Sequence, residues 1–343
     1  VEGELEWCEG ACAIRDVQTR CRWTSMGRSP WSKAAVLITL AIALVGVVLA
    51  DDADESLPAC AQGRAKTFLV GFTGHTGSTA MISMMMQHSQ IWIPSLEPLT
   101  YRQNKFEFAK LTFENETIGS RIKGFKIRPK DLEKAEDHFG QLVKEHRTRL
   151  ITLTRENVFK AAMGLYTIRA LLDNSAMMGL SKEQIKEHCD LRPDSCRYEV
   201  RNLPFFAWLM HRYALSGRMV ESLKNQLPWQ CELKITYEEF LRNRDKTMTK
   251  IYRYLGLNHE ATLPRFEKVV SDNPCEVITN YQDVCAELWG CEELRQYIED
   301  PDHSCYCLDK ARPRNDNLCS DEKLLKANLV CYDHQDRAIP CSM

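Results

Sequence analysis

The residues best suited to chemistry lie where an apolar run gives way to a polar, glycine-rich turn. Thr67 to Phe72 (TFLVGF) reads as a strand, Thr73-Gly-His-Thr-Gly-Ser-Thr79 as a turn, and Ala80 to His88, rich in Met and free of breakers, as a helix. A turn with Gly74 and Gly77 that opens a helix aims unpaired backbone N–H groups and the positive end of the helix dipole at one point, which suits a phosphate. His75, Thr76, Ser78 and Thr79 add side-chain donors. No lysine precedes Ser78, so this is not a nucleoside-triphosphate loop of the form Gly-x4-Gly-Lys-Ser/Thr. Taken alone, such a turn is equally a plain structural connection.

The elements that must position this turn follow along the chain. Arg121 to Ile127, Arg149 to Thr154 and Glu232 to Thr236 read as further short strands, with helices expected at Asn157 to Leu172, Pro204 to Leu223 and Tyr237 to Leu255. Strands alternating with helices predict an α/β domain built on a parallel sheet, with boundaries at 66–260. Pro58 and Gly63 among polar residues mark 51–65 as a stem, and 261–343 reads as a C-terminal extension.

With 45 Lys and Arg against 47 Asp and Glu, the formal net charge is −2. That gives no global reason to bind nucleic acid, so any anion site must be local. Fifteen cysteines are many for a reduced cytosolic enzyme. Ala34 to Ala50 (AAVLITLAIALVGVVLA) is an uncharged run at the short end of what crosses a hydrocarbon core of roughly 30 Å. Arg15, Arg20, Arg22, Arg28 and Lys33 precede it, and Asp51, Asp52, Asp54 and Glu55 follow. This predicts a cytoplasmic tail (1–33), a signal-anchor helix (34–50) and a luminal remainder, a single-pass type II membrane protein. The rival is a signal cleaved near Ala50, leaving a secreted or luminal chain.

Twelve cysteines follow the run, eight of them beyond residue 274 in a stretch with weak apolar periodicity, as expected of an extension held by disulfides. Zinc is the alternative, with Cys305-x-Cys307 as the one close pair. Asn115-Glu-Thr117 is a glycosylation sequon, consistent with a lumen.

Three segments together resemble the Golgi carbohydrate sulfotransferases. GFTGHTGSTAMISMMMQHSQIWIPSLEPLTY (Gly71 to Tyr101) is similar to that family's opening strand, donor loop, helix ending in Gln-His, short strand and Glu-Pro-Leu motif. LTRENVFKAAMGLY (Leu153 to Tyr166) resembles the motif whose arginine and serine hold the donor's 3′-phosphate, and KITYEEFLRNRDKTMTKIYRYLGL (Lys234 to Leu257) resembles the closing strand and helix. The resemblance implies a P-loop-like α/β sulfotransferase fold. It also implies transfer of a sulfuryl group from 3′-phosphoadenosine 5′-phosphosulfate (PAPS), as co-substrate and without a metal, to a hydroxyl, with carbohydrate as the acceptor favoured by Glu-Pro-Leu. On this reading Gly74, His75, Thr76, Gly77, Ser78 and Thr79 cradle the donor, Arg155 meets its 3′-phosphate, and Glu97 is the base with His75 beside the leaving group.

Two positions depart from the family pattern. His75 stands where Arg or Lys is usual, and Met163 and Gly164 stand where the serine is expected. These departures support the alternative of a catalytically inactive luminal binding protein on the same fold. A kinase-like enzyme is disfavoured, because neither a Walker lysine nor an acidic Mg²⁺-binding pair accompanies the turn. Met81, Met84, Met85 and Met86 have the spacing of a core face. Lys123, Lys126, Arg128 and Lys130 read by default as a solvated basic face, with an acidic acceptor as the other reading. The loops around 101–120 and 177–201 are the expected sites of acceptor selection, and no feature of the sequence sets an oligomeric state.

Overall fold

The computed structural model describes residues 57–320 apart from 101, 133–134, 173–181, 267–270, 309 and 311–317, together with the backbone of two short strands at 330–332 and 338–340. The expected tail and anchor fall outside the described residues; among those described, no helix is long and apolar enough to cross a membrane.

Five strands, β1 (Thr67–Phe72), β2 (Ile91–Trp92), β3 (Ile122–Ile127), β4 (Arg149–Thr154) and β5 (Cys231–Thr236), form one parallel sheet in the order β2-β3-β1-β4-β5. The α/β expectation therefore holds. After β1 the chain builds one side of the sheet and then crosses to the other, so the end of β1 lies at the topological switch point, where such sheets present a crevice. Gly71 pairs with both Ile127 and Thr152, and Thr154 with Thr236. The strands thus end nearly level, and the residues just beyond them share one edge.

Both sheet faces are covered, which is why β1 and β4 read as continuous apolar runs rather than alternating ones. Phe68, Val70 and Phe72 pack with Met81, Ile82, Met84 and Met85 of α1 (Ser78–Met85). The methionine cluster is therefore core, except that Met86 is exposed. Leu69, on the opposite face, packs with Phe125, Leu150 and Phe139 of α3 (Glu136–Glu145), which follows α2 (Lys105–Glu114).

The helices expected after β4 and before β5 form as α4 (Val158–Leu172) and α6 (Leu203–Gln226), with α5 (Lys182–Leu191) between them. The single helix expected over 237–255 is two, α7 (Tyr237–Arg242) and α8 (Arg244–Leu255). Asn243 breaks the run: its backbone leaves the helical region and its side chain accepts the Lys246 N–H, capping a new helix.

The C-terminal extension shares a third apolar cluster with α4 and α6, in which Phe159 and Phe206 meet Tyr281, Val284 and Leu288. Disulfides Cys275–Cys305, Cys285–Cys307 and Cys291–Cys319 tie it together. Cys305 and Cys307 are thus each bonded to another cysteine, which removes the zinc reading of that pair. Cys189–Cys196 closes a short loop. The segment read as a stem does not stand apart from Leu57 onward. Cys60 is bonded to Cys231 at the start of β5, and Ala61 and Ala65 are buried. Arg149, fully buried at the start of β4, donates to the carbonyls of Gln62, Gly63 and Tyr254, fixing the entering chain to the base of the sheet.

Candidate active site

The turn after β1 has the form expected of an anion cradle. Gly77 caps α1 in the left-handed conformation (φ 69°) and no side chain caps the helix, so the first-turn N–H groups are left for another acceptor. Only glycine fits here, because a Cβ would stand 2.7 Å from the Tyr237 ring. His75 is also left-handed (φ 58°), a conformation in which histidine is more frequent than most residues. Its ring meets Tyr213 edge-on at 5.8 Å and faces Gly164, whose added Cβ would lie 3.5 Å from Nδ1. Thr76 turns inward instead of outward: it is fully buried and its hydroxyl donates to the Thr73 carbonyl at 2.8 Å, bracing the turn.

Lys126 supplies the cation at this turn. It lies near the end of β3 at 2% exposure, and its ammonium donates to Thr79 Oγ1 at 3.1 Å and to Ser78 Oγ at 3.4 Å. It also pairs with Glu97 Oε1 and sits over the Phe72 ring at 4.6 Å. Burial pushes the Lys126 pKa below the ordinary lysine value; the bond to Glu97 and that carboxylate's charge oppose the shift, and Arg128 adds to it. The solvated-face reading of this basic run is therefore incorrect at Lys126. Strand alternation alone does not show it, because a strand covered on both faces has no solvent side. The signal available in the sequence was position: a lysine at the end of the strand beside β1 must lie at the switch point.

Glu97 is brought to the same place by the loop after β2. Its Oε1 meets Lys126 and its Oε2 lies 3.2 Å from Arg128 Nη2, while its side chain stays 39% exposed. The carboxylate is oriented by two cations and remains open to solvent. His88, at the end of the Gln-His pair, is structural. Its Nδ1 accepts the Gln90 N–H at 3.1 Å, leaving Nε2–H to donate to Asn258 O at 3.0 Å.

Arg155 follows β4 but is enclosed. Its side chain is 6% exposed, with Nη2 on Asp272 at 3.0 Å, Nη1 on the His75 carbonyl at 3.0 Å, and the guanidinium 4.4 Å above the Tyr237 ring. Its Nε has no hydrogen-bond acceptor, although Glu238 stands 3.9 Å away. The structure thus unites Gly74, His75, Gly77, Ser78, Thr79, Lys126 and Glu97 around one edge, with Arg155 beneath the turn and held by Asp272. Asn115 lies apart, after α2, where its Oδ1 accepts from the Thr117 N–H and hydroxyl. Among the described residues no cluster of His, Cys, Asp or Glu could hold a metal ion.

No protein-family model and no curated protein matches the chain. Three solved structures to which it is similar are sulfotransferases. One is a sulfotransferase from Alicyclobacillus acidocaldarius, with 16% identity over 60% of this chain and 87% of that one and a TM-score of 0.36. Another is the sulfotransferase domain of the Synechococcus PCC 7002 olefin synthase, with 16% identity, 63% and 82% coverage and a TM-score of 0.33. The third is mouse sulfotransferase SULT7A1 complexed with PAP, with 15% identity, 79% coverage of each chain and a TM-score of 0.29. Likeness at this distance carries no weight on activity.

Proposed function

We propose that this chain transfers a sulfuryl group from PAPS to a hydroxyl, with a carbohydrate as the acceptor, in the Golgi lumen. The observation that carries the reading is the Lys126 bridge, which joins the hydroxyls of an uncapped helix start to an open carboxylate. When bound, the donor supplies a sulfuryl group on a phosphate leaving group. The N–H groups at the start of α1 and the hydroxyls of Ser78 and Thr79 receive its anionic oxygens. Lys126 offsets the charge that grows on the departing phosphate oxygen as the S–O bond breaks and the acceptor oxygen bonds to sulfur. The acceptor proton passes to Glu97, whose carboxylate Lys126 and Arg128 hold in place.

The residues fit an anionic donor: the helix start is uncapped and the nearest ammonium is buried against it. The five disulfides among the described residues support an oxidising compartment, as does the partly exposed sequon at Asn115. A type II anchor at 34–50 is part of the same proposal.

The second reading, a luminal binding protein without catalysis, is favoured by the Arg155–Asp272 pair and by Gly164 facing His75. Calorimetry of the intact chain with the desulfated nucleotide PAP separates the two. Binding, together with transfer of labelled sulfate that Glu97→Gln reduces by about 10²–10⁴-fold, supports the enzyme. Absence of nucleotide binding removes it.

A further inference from the structure

Two carboxylates of the C-terminal extension close on two cations at the start of α4. Asp272 Oδ1 meets Arg155 Nη2 at 3.0 Å, and Asp300 Oδ2 meets Lys160 Nζ at 2.8 Å while also accepting from His303 Nδ1 at 2.6 Å. The four paired side chains are largely enclosed, with Asp300 at 5% and Arg155 at 6% exposure. Both cations border the candidate site. Arg155 Nη1 donates to the His75 carbonyl, and Lys160 lies one turn before Gly164, on the face of α4 turned toward the His75 ring.

One disulfide joins the two turns that carry these carboxylates. Asp272 lies three residues before Cys275, in a turn closed by the Asn273 side chain, which accepts the Cys275 N–H at 3.0 Å. Asp300 and Cys305 exchange backbone hydrogen bonds at 2.8 and 2.9 Å around the exposed residues 301–304. The Cys275–Cys305 bond therefore holds each turn to the other. It can also be approached: Cys305 is buried, but Cys275 is partly exposed and lines a cleft of about 260 Å³ with Arg197, Thr279, Gln282 and Asp283. Both members of Cys189–Cys196 and of Cys285–Cys307, by contrast, are buried.

We infer that Cys275–Cys305 is a thiol-exchange site, and that its opening by a dithiol reductant unlatches Arg155 and Lys160 from the extension and raises the affinity of the site for an anionic ligand. As a control on donor binding, the inference rests on the proposed use of PAPS. A thiolate of the reductant bonds to Cys275 Sγ, the Cys275–Cys305 bond breaks, and Cys305 leaves as a thiolate that takes up a proton. The second thiol of the reductant then bonds to the first and releases Cys275 as a thiol. The protein gains two electrons and two protons, and the reductant becomes a disulfide. Without the bond the two turns move independently, and an incoming anion displaces either carboxylate more easily.

The intact chain is treated with graded dithiothreitol. Freed cysteines are alkylated and mapped by mass spectrometry, arginine reactivity is read with phenylglyoxal, and PAP affinity by calorimetry. Cys275 and Cys305 are expected to be alkylated at lower reductant than Cys189, Cys196, Cys285 and Cys307. In step with that opening, Arg155 should become reactive and PAP should bind about tenfold tighter, a coupling of ordinary size. Cys275→Ser with Cys305→Ser should show both changes without reductant, and Asp272→Asn with Asp300→Asn should tighten PAP binding with the disulfide intact. Opening of Cys275–Cys305 only after the two buried bridges, or opening that leaves Arg155 unreactive and PAP affinity unchanged, would overturn the inference. If Arg155 is unmasked in step with the bridge while PAP does not bind in either state, the latch stands and sulfuryl transfer falls; PAP binding indifferent to the reductant gives the reverse.

Discussion

The Lys126 ammonium lies 3.1 Å from the Thr79 hydroxyl and, on its other side, pairs with the Glu97 carboxylate. One buried cation therefore serves both the group that would hold a donor and the group that would take a proton. His75 supplies no permanent charge at the turn; Lys126 brings one from the neighbouring strand.

Lys126→Met is expected to lower kcat by about 10²–10³-fold, the usual cost of losing one preorganised electrostatic contact. Because burial lowers the lysine pKa from 10.5, activity should fall with rising pH at a value below 10.5, and Lys126→Arg should move that fall upward. The stability effect has the opposite sense. The unfolded chain binds more protons between the folded and unfolded pKa values, so stability should rise with pH through that window. A pH profile of kcat/KM and denaturant melts at several pH values check both.

Asp272→Asn should destabilise the protein by about 1–3 kcal/mol, since it removes the charge that Arg155 Nη2 meets at 3.0 Å in a nearly enclosed site. If Asp272 holds the guanidinium that a donor 3′-phosphate would take, PAP should raise the melting temperature of the variant more than that of the wild type. Equal increments would mean that the carboxylate and the nucleotide do not share Arg155.

Gly77→Ala tests how the cradle is packed. Left-handed backbone costs about 1–2 kcal/mol for a residue with a Cβ, and here that atom would also meet Tyr237 at 2.7 Å. Gly63 has a similar φ of 74° with nothing within 4 Å of the added atom, so Gly63→Ala should show the backbone cost alone. Denaturation midpoints of the two variants should differ by the steric part, about 1–3 kcal/mol, and only Gly77→Ala should lose PAP affinity.

The bond between Cys60 and Cys231 joins residues 171 apart in sequence. Replacing both by Ser should cost about 2–4 kcal/mol, measured by chemical denaturation under non-reducing conditions. A peptide map without reductant should recover this pair and the four others.

Much of the fold was legible because β1 is an apolar run, because β5 alternates buried and more exposed residues, and because Gly74 and Gly77 mark the first crossover. The break at Asn243 was less visible, since a single Asn inside an amphipathic stretch leaves the apolar period intact. Arg149 was hidden for a different reason: an arginine at the head of a strand looks like a solvent-facing end, whereas here three backbone carbonyls accept its donors. In the site, the turn was readable from local pattern, whereas Glu97 was singled out only through the family resemblance. The partnership of Arg155 with Asp272 was not, because it depends on a contact 117 residues apart.

Cys60 and Arg149 fasten the entering chain at the starts of β5 and β4, whereas Lys126, Arg155 and the Gly77 turn lie at the strands' opposite ends. The domain therefore has two poles about 20 Å apart, the length of a six-residue strand. The pole opposite the candidate site is thus the one closed by a covalent bond and a buried guanidinium, so breaking Cys60–Cys231 should loosen the base of the sheet before it disturbs the turn at Gly77.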